Sequence, residues 1–251
     1  MNTDFYIGYL PKMPAFVKRL IKPFVFTLFF AGLILAVLFA SGQKPFANSV
    51  FEFGNARRFE GTVQARPVPF LLVEKTQTNN GLPTFFRYPL VGEGKYGVGD
   101  DIVGADGKKV SLEGTLIYRD GLRLIEVVSG SMKTISRSAE SPSAVAESLG
   151  SMALRGEIID SKCYLGVMNP GNTKVHRDCA VACIRGGVPA MFLVKDSKGN
   201  KSELWLLSED GRTPNSEILD YVAEPVELRG RVTRVGAQLF FYADLSKIKR
   251  L

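Results

Sequence analysis

VSLEGTLIYRDGLRLIEVV, residues 110–128, and PVELRGRVTRVGAQLFFYAD, residues 225–244, carry one pattern twice. In each, apolar and polar residues alternate with period two, a glycine-containing turn intervenes, and a second apolar run follows, which is the signature of a β-hairpin. The match is residue by residue: Val110-Ser-Leu-Glu-Gly-Thr-Leu aligns with Val226-Glu-Leu-Arg-Gly-Arg-Val. Upstream, Val68-Pro-Phe-Leu-Leu-Val-Glu-Lys aligns with Val188-Pro-Ala-Met-Phe-Leu-Val-Lys, allowing one inserted residue. Between these anchors, Tyr88-Pro-Leu-Val-Gly-Glu-Gly stands where Trp205-Leu-Leu-Ser-Glu-Asp-Gly stands.

Each copy supplies about five short strands, opened by Gly61-Thr-Val in the first and Gly156-Glu-Ile in the second. Closing such strands into a small barrel removes exposed edges, and the count and length suit a five-stranded Greek-key barrel. The expected fold is mainly β: two tandem OB-like barrels, residues 47–135 and 151–251, joined by a Ser, Ala and Glu-rich linker at 136–150.

The copies differ in one place. Gly61 is separated from Val68 by 6 residues, whereas Gly156 is separated from Val188 by 31, an insertion of 25. The insertion, assigned to residues 160–187, holds Cys163, His176, Cys179 and Cys183, which are all three cysteines and the only histidine of the 251-residue chain. After the Asn169-Pro170-Gly171 turn, Asn172 or Thr173 is the expected cap of a short helix that Gly186 and Gly187 end. On that helix, His176, Cys179 and Cys183 would form one stripe, with Cys163 reaching it from the preceding segment.

Three thiolates and one imidazole are the donor set of a tetrahedral metal site. Zinc is the first expectation; an iron–sulfur cluster, or copper with Met168 or Met191 nearby, are the alternatives. Asp160, Arg177 and Asp178 are candidates for orienting the ligands. A disulfide would use two of three cysteines and leave an odd thiol. A nucleophilic Cys179 or Cys183 with His176 as base is the enzymatic alternative. The absence of a Cys-x-x-Cys-His run disfavours covalently attached haem.

Pro23 to Ala40 runs 18 residues without a charge and extends through Gly42, enough to cross a bilayer core as a helix over 23–42. The expectation is an uncleaved anchor rather than a signal peptide, because the leader and the apolar run are both long for one. Lys12, Lys18, Arg19 and Lys22 precede the run and only Lys44 closely follows. The positive-inside rule therefore places residues 1–22 in the cytoplasm and the barrels in the periplasm or another extracytoplasmic space. Phe5, Tyr6, Tyr9 and Phe16 suit an interfacial segment.

Of the net charge of +7, residues 1–22 carry +3, which leaves a mild excess unlike the basic face of a nucleic-acid binder. Phe85, Phe86, Arg87 and Tyr88 form the nearest approach to such a face. Gly92-Glu-Gly-Lys-Tyr-Gly97 fits G-x-G-x-x-G but lacks a following helix and reads as a turn.

These features point to a single-pass, extracytoplasmic metalloprotein serving as subunit or assembly partner of a larger membrane complex, expected to be a redox or respiratory one that handles electrons or metal. It is not expected to act as a stand-alone enzyme or to bind nucleic acid. A copper or haem delivery factor is the remaining alternative.

Overall fold

The computed structural model describes residues 13–43, 48–75, 85–136 and 145–251. Two compact units divide the chain, Met1–Pro45 and Phe46–Leu251. The first is built on one helix, α1 (Ala15–Gly42), none of whose residues is buried. Its mean hydropathy reaches 2.5 over an 18-residue window, long and apolar enough to cross a membrane. The helix starts at Ala15, not at residue 23 as the charge-free run suggested. Lys18, Arg19 and Lys22 are good helix formers, Lys18 N–H already donates to Pro14 O, and Pro23 is accommodated within the helix. Lys12, Lys44, Phe5, Tyr6 and Tyr9 lie outside the described residues.

The second unit is mainly β. Its first barrel comprises β1 (Ser49–Phe51), β2 (Arg57–Gln64), β3 (Phe70–Glu74), β4 (Phe85–Val91), the short α2 (Asp100–Val103), β5 (Lys109–Arg119), β6 (Leu122–Val127) and β7 (Lys133–Ser136). Strands β2 to β6 close on themselves in the order β5-β2-β3-β4-β6-β5, antiparallel except for β4 against β6. The second comprises β8 (Ala146–Asp160), α3 (Arg177–Arg185), β9 (Ala190–Lys195), β10 (Lys201–Ser208), β11 (Pro225–Val235), β12 (Gln238–Ala243) and β13 (Lys249–Arg250). It closes as β11-β8-β9-β10-β12-β11, again with one parallel pair, β10 against β12. Both rings have the Greek-key connectivity of the OB barrel. β1 and β7 add to β5, and β13 adds to β11, beyond the five strands expected of each copy.

Glycines explain why the copies align. Val110 pairs with Gly61 and Val226 with Gly156, the same register in both barrels. A Cβ on Gly61 would stand 2.5 Å from Leu72 O, and one on Gly156 2.4 Å from Leu193 O. Gly114 and Gly230 are equally confined, by Glu126 O at 2.8 Å and Tyr242 O at 2.1 Å. Strands must coil closely over one another in so small a barrel, and only glycine leaves room there. Gly156→Ala is expected to destabilise the second unit by about 1–3 kcal/mol, the usual range for overpacking. Chemical denaturation of the purified chain measures it.

Both ends of the linker expected at 136–150 are strand. Ser136 belongs to β7, and 146–150 extend β8 by pairing with Val232 to Val235 of β11 across an irregularity; residues 137–144 lie outside the described residues.

The two barrels pack face to face. Along β3, Leu71 points into its own barrel while Phe70 and Leu72 join a core shared with the second barrel. Likewise Phe192 of β9 and Leu204 and Leu206 of β10 fill the second barrel, while Met191, Leu193, Trp205 and Leu207 face the seam. Apolar residues on both faces explain the unbroken runs FLLV and AMFLV, since successive side chains of a strand point opposite ways. Phe70 meets Trp205 and Phe240 edge to face, with ring centroids 5.9 and 6.2 Å apart.

Candidate metal centre

Residues 161–189 join β8 to β9, where residues 65–69 suffice between β2 and β3. This insertion turns immediately into a single π-helical turn, Cys163–Val167, continues through Pro170 and Gly171 to a 3-10 turn, Lys174–His176, and ends in α3. Thr173 caps the 3-10 turn, and the α-helix proper starts at Arg177. Thr173 has a positive φ of 67°, which breaks helical continuity ahead of it, and the 3-10 turn has three residues per turn rather than 3.6. His176, the last residue of that turn, groups with Asp160 and Cys163 rather than with all three cysteines.

All three cysteines are free. Cys163 Sγ lies 3.8 Å from Cys179 Sγ and 3.9 Å from Cys183 Sγ, and the three sulfurs lie within 4.8 Å of one another. Cys163 and Cys183 are buried, Cys179 half-buried. A disulfide would bring sulfurs to about 2.0 Å. Four ligands arranged tetrahedrally around zinc, with Zn–S near 2.3 Å, set sulfurs about 3.8 Å apart. The observed spacing fits the second arrangement.

His176 belongs to a neighbouring group, with Asp160 and Cys163. Its Nε2 is 2.9 Å from Asp160 Oδ2, and the other carboxylate oxygen, Oδ1, accepts the Cys163 N–H at 2.7 Å. Both Asp160 and His176 are buried. Asp160 thus does for His176 what a carboxylate does for a metal-ligating imidazole, fixing tautomer and ring orientation. Arg177 turns instead to Glu224 and Asp220 O, and Asp178 is exposed. Met191 is buried in the shared core with Cys163 and Cys183, while Met168 is 45% exposed.

Sequence spacing gave no sign of the first barrel's part in the site. Lys95, in the Gly92–Gly97 turn, donates from Nζ to Cys179 Sγ at 3.4 Å. That turn is pinned to the insertion: Gly97 N–H donates to Gly186 O at 2.9 Å, and a Cβ on Gly186 would stand 2.0 Å from Lys95 O. Two buried cations cross the seam in opposite directions. Lys162, 3% exposed, pairs with Glu126 and donates to Gly92 O and Gly94 O at 2.8 and 2.6 Å. Arg119 donates to Tyr164 O at 2.6 Å and lies 4.3 Å above the Tyr164 ring, whose hydroxyl donates to Glu203.

Electrostatically, Cys163 and Cys183 are pushed in opposite directions. The hydrogen bond to Cys183, then burial, then the Asp160 carboxylate push the Cys163 thiol up; the same hydrogen bond, donated by Cys163, lowers Cys183. The hydrogen bond to Cys179 raises Lys95. A cation placed among the sulfurs would offset the negative charge of their thiolates. The cluster of cysteines with its adjacent histidine can thus hold a metal ion. Comparison of the chain with protein-family models, curated proteins and solved structures finds no match.

Proposed function

We propose that the chain is a single-pass membrane protein whose barrel unit lies outside the cytoplasm and holds one metal ion on Cys163, Cys179 and Cys183. Zinc is the expected ion, since thiolate donors and tetrahedral spacing suit it. The protein serves as a subunit or assembly partner of a larger membrane complex. The observation that carries the metal reading is the sulfur spacing of 3.8 and 3.9 Å among three free cysteines. Support for the membrane reading is a 28-residue apolar helix with no buried residue, together with the excess of Lys18, Arg19 and Lys22 at its start. A partner complex is favoured because the OB faces formed by β3, β9 and β10 are consumed by the other barrel. These strands therefore leave no groove for a small substrate.

Metal analysis of the detergent-solubilised full chain tests this, with one equivalent of metal expected per chain. Absence of metal, with two of the three cysteines joined in a disulfide, would contradict it. Uptake should also release protons and weaken as pH falls, because the thiols must deprotonate to bind.

One observation favours the enzymatic alternative. Cys179 is the half-buried thiol, sits in the first turn of α3, and has Lys95 Nζ at 3.4 Å, the surroundings of an accessible cysteine beside a cation. That reading requires rapid alkylation of Cys179 in protein that carries no metal.

A further inference from the structure

We infer that the metal centre has three protein ligands and an exchangeable fourth position, which takes a small anionic donor beside Lys95. This rests on the metal reading proposed above and changes its character. Closed four-ligand sites are structural, whereas a site with three protein ligands keeps a place for water, hydroxide or another external ligand.

Three features carry it. First, His176 does not group with all three sulfurs. In a tetrahedral site with Zn–S near 2.3 Å and Zn–N near 2.0 Å, a ligating nitrogen would stand about 3.5 Å from every sulfur, closer than the 4.8 Å within which the three sulfurs themselves lie. Second, His176 is held where it is. Its Nε2 is bound to Asp160, Asp160 is bound to the Cys163 backbone, and both side chains are buried among close neighbours. Bringing its other ring nitrogen, Nδ1, to within ligand distance of all three sulfurs would require this hydrogen-bonded unit to move.

Third, the donors are unevenly covered. Cys163 and Cys183 are buried, whereas Cys179 is half-buried and has an exposed lysine on it. A divalent ion with three thiolates carries one net negative charge, which disfavours a further anion. Lys95 supplies the opposite charge at the accessible sulfur. It comes from the other barrel, so the seam brings it to the site. A thiolate and a hydroxide share the required chemistry, a monodentate anionic donor small enough to reach a half-buried centre.

Cobalt(II) substituted into the detergent-solubilised full chain reads both layers of the claim. Sulfur-to-cobalt charge-transfer bands report the three thiolates, and the weaker visible bands report the fourth ligand. Titration with azide, and separately with 2-mercaptoethanol, is expected to shift the visible bands saturably while the charge-transfer bands remain. A response to 2-mercaptoethanol alone assigns the position to thiolates; a response to both assigns it to small anions generally.

Lys95→Met should weaken azide binding about tenfold, the order of one charge-assisted hydrogen bond. His176→Gln should leave the visible bands in place. Bands insensitive to both titrants in the unmodified protein would overturn the inference, as would bands that change with His176→Gln before any titrant is added. Absence of charge-transfer bands would instead remove the metal reading, and the inference with it. The unmodified titration decides the matter even if a variant fails to fold.

Discussion

Lys162→Met is expected to destabilise the barrel unit by about 3–5 kcal/mol, the range for removing one partner of a buried ion pair. The methionine retains most of the side-chain volume, so the loss is one of charge. Glu126, 14% exposed, would be left without its ammonium, and Gly92 O and Gly94 O would lose their donor. Because those carbonyls belong to the turn that carries Lys95, the same change should loosen that turn over Cys179. Denaturant unfolding measures the stability, and the alkylation rate of Cys179 in protein stripped of metal measures the turn. A change below about 1 kcal/mol, the range of exposed ion pairs, would mean that Lys162 and Glu126 are solvated rather than buried.

Trp205→Ala is the second large effect, also about 3–5 kcal/mol, the range for truncating a buried aromatic residue. Trp205 is 1% exposed, its Nε1 donates to Gln238 Oε1 at 2.7 Å, and its ring meets Phe70 of the other barrel. Truncation therefore opens a cavity at the seam and leaves the Gln238 oxygen without a donor. Unfolding followed by far-ultraviolet circular dichroism should show a lower midpoint for the whole unit. Loss confined to the second barrel's strands, with the first unaffected, would show that the seam does not couple them.

The barrels were legible in the sequence because both determinants are local. Alternation with period two marks each strand, and Gly61, Gly114, Gly156 and Gly230 recur where strands approach too closely for a side chain. The insertion was legible by comparison of the copies, since one strand connection is long where its counterpart is short. Contacts between elements were not. Nothing in the spacing of Gly92–Gly97 indicates that this turn rests on α3, or that Lys162 and Arg119 reach across to opposing backbone carbonyls; those follow from how two barrels dock.

The unbroken apolar runs of β3 and β9 held a clue, for a strand buried on both faces needs a partner outside its own barrel. His176 shows a different limit. Projecting it at 100° per residue assumed that the helix already includes it, but the chain reaches it by a 3-10 turn after the positive φ of Thr173. The four side chains still come together as a cluster that can hold a metal ion, though in two overlapping groups that share Cys163.

The most direct test of the thiolate centre is X-ray absorption at the metal edge of the purified full chain. The sulfur spacing requires a shell of about three sulfur atoms near 2.3 Å. A shell of nitrogen and oxygen alone, or a chain free of metal whose Cys163 is disulfide-bonded, would contradict it.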